Sequence, residues 1–76
     1  MILKMQNVGN EKRTVLFYGV QCEHEAFCLR GLITDVINNK KNLKSQVLET
    51  WKYHDAGGAY RFVCEREDGI IEYKKI

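Results

Sequence analysis

The side chains with the richest chemistry cluster early in the chain, at Cys22, His24 and Cys28. At helical spacing His24 and Cys28 stand at i and i+4 and share a face. Thiolate and imidazole are natural zinc ligands, and a structural site takes four of them. His54 and Cys64 are the candidates for a fourth. However, C-x-H-x₃-C is not an established zinc spacing, and no second tight pair follows it. Cysteine also behaves as a small buried hydrophobe. The expectation is therefore inert thiols with no metal and no cofactor, and a small zinc-binding domain is the third reading. Nucleophilic catalysis by a cysteine, with His24 or His54 as base, needs an orienting group and an oxyanion hole. The spacing provides neither.

A second constellation lies on the last strand. Glu72 and Lys74 share one face of it, with Asp55 and Asp68 upstream. Carboxylates beside a lysine are the ingredients of metal-dependent phosphodiester cleavage. The same alternation is also how an exposed strand meets water, and that is the expectation here. No catalytic constellation remains, so the chain reads as non-enzymatic.

The aromatics offer binding rather than chemistry. Trp51, Tyr53, Tyr60, Phe62 and Tyr73 are interleaved with Lys52, Arg61 and Lys74. Exposed on a sheet, such rings stack bases; turned toward a helix, they form a core. Residues 58–63 resemble the aromatic strand of an RNA-recognition motif at Tyr60, Phe62 and Val63. The glycine, basic and final aromatic positions differ, and that motif needs two helices, so no family assignment follows. Lys40, Lys41 and Lys44 form the densest local basic patch and, with Arg61, the candidate nucleic-acid contacts.

The elements that must position these residues are legible in outline. Ile2–Val8 and residues 13–20 form a hairpin about a Gly9–Lys12 turn. The second strand is β-branched and aromatic. Glu23 to about Asn39 is the single helix. Glu23 and Glu25 lie in its first turn, where the dipole favours carboxylates. Ala26, Leu29, Leu32, Ile33, Val36 and Ile37 make its apolar stripe. Asn38 to Lys41 suit its end, through tolerance of left-handed backbone. Residues 46–54 form a strand with Val47, Trp51 and Tyr53 on one face. Residues 59–65 form another, with Tyr60, Phe62 and Cys64 on one face, and residues 70–76 close the chain.

The predicted fold is thus α+β, one helix on a mainly antiparallel sheet of about four or five strands in the order ββαβββ. Order and size resemble a β-grasp fold, and a wholly antiparallel sheet fits the same order. With 76 residues the chain makes one domain, 1–76. Twelve Lys plus Arg against ten Asp plus Glu leave +2, which excludes a strongly basic nucleic-acid footprint. A core of this size contributes about 3–5 kcal/mol and leaves little room for an enclosed substrate cavity. The first ten residues lack the apolar run of a signal peptide. No stretch approaches the ~18 apolar residues of a membrane span. The odd count of three cysteines points to reduced thiols in the cytoplasm.

One helix covers one face of a sheet. The second strand is apolar on both faces, and a protein partner or a second copy is the expected cover. On the helix, Phe27 and Gly31 project away from the stripe. The function expected is a small interaction protein of inhibitor or modulator type. Phe27, Gly31, Tyr18 and Trp51 are its docking residues, since hot spots favour aromatic anchors. A nucleic-acid-binding module is the alternative.

Overall fold

The computed structural model describes residues 1–53 and 55–76. Its elements are β1 (Ile2–Val8), β2 (Arg13–Tyr18), α1 (Glu23–Asn38), a 3-10 turn (Leu43–Ser45), β3 (Val47–Glu49), β4 (Ala59–Glu65) and β5 (Ile71–Lys75). The predicted order ββαβββ and the helix-on-sheet architecture are present. The five strands stand in the order β1-β2-β5-β4-β3.

The sheet is mixed rather than wholly antiparallel. β2 and β5 run parallel, pairing Val15 with Ile71, Phe17 with Tyr73 and Tyr18 with Lys74. Every other pairing is antiparallel. Parallel neighbours need a long crossover. Here α1 carries the chain from β2 to the far edge, and β3 and β4 then step back until β5 reaches β2.

Strand alternation sorts the side chains. Met5, Val15, Phe17, Leu48, Tyr60, Ile71 and Tyr73 face α1, which answers with Leu29, Ile33, Val36 and Ile37; all are buried. Phe17 lies at the centre, 5.9 Å edge-on to Tyr60 and 5.5 Å from Tyr73 between ring centroids. Half-buried Phe62 meets Tyr73 edge-on at 6.0 Å. So Tyr60, Phe62 and Tyr73 are core residues, not the exposed base-stacking cluster that their interleaving with cations allowed.

Three local features depart from the sequence reading. β3 ends at Glu49, and Trp51 and Tyr53 lie in the turn after it, exposed. Thr50 is the reason: its N–H donates to the Gly58 carbonyl at 2.8 Å, and its hydroxyl accepts the Gly58 N–H at 2.8 Å. That closes a loop before the strand can extend. In β4 the register shifts between Phe62 and Cys64. Cys64 therefore pairs with Glu72 on the other face of the sheet, away from Tyr60. The helix ends as expected, but the left-handed residue is Lys40 (φ 52°) rather than an asparagine. Its N–H donates to the Ile37 carbonyl and that of Lys41 to the Val36 carbonyl, the closure that follows a left-handed C-terminus.

The two layers are clasped at both ends. Asn10 N–H donates to the Asn38 side-chain carbonyl at 2.7 Å. A side chain at Gly9 (φ 70°) would come within 2.8 Å of Ile37, so the hairpin turn sits directly on the end of α1. The clasp at the helix start involves Glu25.

Candidate functional site

Helical spacing aligns His24, Phe27, Cys28, Gly31 and Leu32 along the side of α1 that looks past the β3 edge of the sheet. Tyr53, from the turn after β3, stands opposite them. Between them is an open, mainly apolar groove of about 380 Å³. Phe27 is 78% exposed and Tyr53 66% exposed. The notch between them exists because residue 31 has no side chain. A Cβ built on Gly31 meets nothing within 4 Å.

Glu25 positions both walls of this groove. It is fully buried, one position along from His24 on the helix start. It accepts hydrogen bonds from the Tyr60 hydroxyl at 2.5 Å and from the Gln21 N–H at 3.0 Å. Lys75 Nζ lies 3.2 Å away. Burial raises the Glu25 carboxyl, but these donors and the lysine charge outweigh it and hold the group below its ordinary 4.5. Thr50, which closes the loop carrying Tyr53, is buried beside the same carboxylate at 3.5 Å. The Tyr60 hydroxyl is pushed far up, by burial first and then by Glu25. The dipole argument placed Glu25 in the first turn of the helix and left its burial open. The available signal was on β5, where Ile71, Tyr73 and Lys75 alternate onto one face and a lysine on that face needs an anion.

Among the described residues no helix lies over the opposite face of the sheet. Tyr18, Lys74, Arg61 and Val47 are successive neighbours across four strands there, and Ile2 extends the row on β1. Arg61 and Lys74 are exposed and directly opposite each other. In the next row Glu72 lies 3.9 Å from Arg66, and its carboxylate raises the Tyr18 hydroxyl. Cys64 lies 3.6 Å from Glu72. Its thiol is raised by burial and then by the Glu72 charge.

The structure thus divides the expected docking residues. Phe27 and Gly31 line the groove. Trp51 is exposed in the same turn as Tyr53 but does not line the groove. Tyr18 is on the far side of the sheet. Tyr53 belongs to the groove and was read as a strand residue. The basic candidates divide as well. Lys40, Lys41 and Lys44 surround the end of α1 and the 3-10 turn, with Lys41 3.9 Å from Asp35, while Arg61 is on the open sheet face. Among the described residues, no three His, Cys, Asp or Glu side chains are gathered to hold a metal ion. His54 lies outside the described residues. Cys22, Cys28 and Cys64 form no disulfide. Among the described residues no helix is long and apolar enough to cross a membrane.

Fold and surfaces together define a small α+β domain with an apolar groove beside α1 and an open sheet face. The chain matches no family model, no curated protein and no solved structure.

Proposed function

We propose that the chain is a small, non-enzymatic interaction module that docks a protein partner through the α1 groove. The occupant is an apolar side chain of that partner, seated between Phe27 and Tyr53 over Gly31. One observation carries the reading. A mid-helix glycine costs about 1 kcal/mol relative to alanine, and Gly31 has no internal neighbour that requires it. The notch is open outward, beside the most exposed large apolar side chain of the chain. Exposed aromatics around a socket are the usual anchors of a protein interface. The unbridged cysteines fit work in a reducing cytoplasm.

The test begins with a photoreactive benzoylphenylalanine at position 27 and identification of the crosslinked protein. Affinity for that purified partner is then measured. Phe27→Ala is expected to weaken it by about thirtyfold, the scale of a hot spot of about 2 kcal/mol, and Tyr18→Ala to leave it unchanged. Equal affinity of wild type, Phe27→Ala and Gly31→Leu overturns the proposal.

A further inference from the structure

We infer that the open face of the sheet binds single-stranded nucleic acid, with Arg61 and Lys74 holding phosphate oxygens and Tyr18 stacking a base. This site is independent of the groove and lies on the other side of the sheet.

The first argument is a local conflict. Directly opposed side chains on antiparallel strands have their Cβ atoms about 5 Å apart, and like charges placed so repel. Arg61 and Lys74 occupy such a pair. Among the described residues neither forms an ion pair, and the salt bridges there use other cations. The nearby carboxylates are engaged elsewhere. Glu72 has Arg66 at 3.9 Å, and Glu49 has Lys52 at 2.7 Å. Two adjacent cations with no ion-pair partner among the described residues, on the face turned away from α1, are complementary to an anion that bridges them.

The second argument selects the anion. Tyr18 is the next residue in the row after Lys74, on the same open face of the sheet. Leu16 and Ile2 flank it with apolar surface. A ligand that uses both the cations and the ring has a charge and a flat π-face in each repeat, which describes a nucleotide strand. An acidic peptide uses the cations and leaves the ring idle. The face is a sheet with no projecting helix or ribbon to enter a duplex groove, which favours one strand over two.

The experiment is fluorescence anisotropy of a labelled oligothymidylate titrated with the full chain over a salt series. A duplex of the same length and polyglutamate serve as competitors. The single strand is expected to bind most tightly. The double variant Arg61→Gln/Lys74→Gln is expected to lower the slope of log K against log salt by about 1.4, the value for two phosphate contacts. Tyr18→Ala should weaken binding at least about fivefold at every salt concentration, and Phe27→Ala should not change it. A melting curve shows whether the double variant folds, and it should be no less stable because it removes a repulsion. No binding at low salt, binding indifferent to the double variant, or tighter competition by duplex or polyglutamate each overturns the inference.

Discussion

The buried Glu25 carboxylate accepts a hydrogen bond from the Tyr60 hydroxyl at 2.5 Å. This contact joins the first turn of α1 to the centre of the sheet. Lys75, the Gln21 N–H and Thr50 complete the cluster. The position of the helix start, and with it Phe27, depends on a charge that must stay ionised. Removing one member of a buried charge pair costs about 3 kcal/mol or more. Against the few kcal/mol of a domain this size, Glu25→Ala is expected to leave the chain largely unfolded. Glu25→Gln keeps one oxygen to accept from Tyr60 and loses the acceptor for the Gln21 N–H, and is expected to fold with a lower denaturant midpoint.

The same cluster predicts an acid dependence. The folded carboxyl holds its proton less tightly than the unfolded one. Its contribution is therefore fully present above the ordinary value of 4.5 and is lost as pH falls through the lower folded value. Urea midpoints measured downward from neutral pH should fall more steeply below that value in wild type than in Glu25→Gln. Parallel curves would show that the cluster has no part in acid unfolding.

The phenols respond to alkali. Burial pushes the Tyr73 hydroxyl up to about 12, and burial together with Glu25 takes Tyr60 further. Ultraviolet titration is expected to show these two ionising only as the fold is lost, together with the circular dichroism change. Tyr60→Phe leaves Glu25 one donor short and is expected to cost about 1.5–3 kcal/mol while removing one late-titrating phenol.

Gly31 separates stability from docking. Gly31→Ala is expected to raise stability by about 0.5–1 kcal/mol, because the new methyl meets open space. Partner affinity should fall all the same, since the methyl occupies the notch. A stabilised variant with unchanged affinity would move the docking site elsewhere.

Gly57 behaves in the opposite way. A Cβ there would meet Thr50 Oγ1 and lie 2.9 Å from the Trp51 backbone nitrogen, and backbone cannot step aside. Gly57→Ala is expected to destabilise by about 1–3 kcal/mol. It should also loosen the loop that holds Tyr53, seen as faster amide exchange at Tyr53 and Gly58.

Much of this molecule was legible in its residues. Val15, Phe17, Ile71 and Tyr73 announce strands that are buried on at least one face, and the Leu29–Ile33–Val36–Ile37 spacing announces a helix with one apolar side. These are local periodicities, and the bounds of β1, β4 and α1 follow from them. Phe27 and Gly31 stood out because they break the helical stripe, and the groove is where they lie. Cys64 misled because period-two alternation holds only until a bulge. Trp51 and Tyr53 misled because their β propensity was overruled by Thr50 closing on Gly58.

What the sequence determined by itself is the set of elements and the apolar face of each. Those depend on neighbours a few positions apart. Tertiary structure alone decided the rest, because pairing partners distant in the chain are not encoded by local period. It set β5 parallel to β2, which brings Lys75 to Glu25 and Lys74 to Tyr18. It also put Arg61 opposite Lys74 and carried Tyr53 across to the helix. The groove and the cationic row are both products of that pairing.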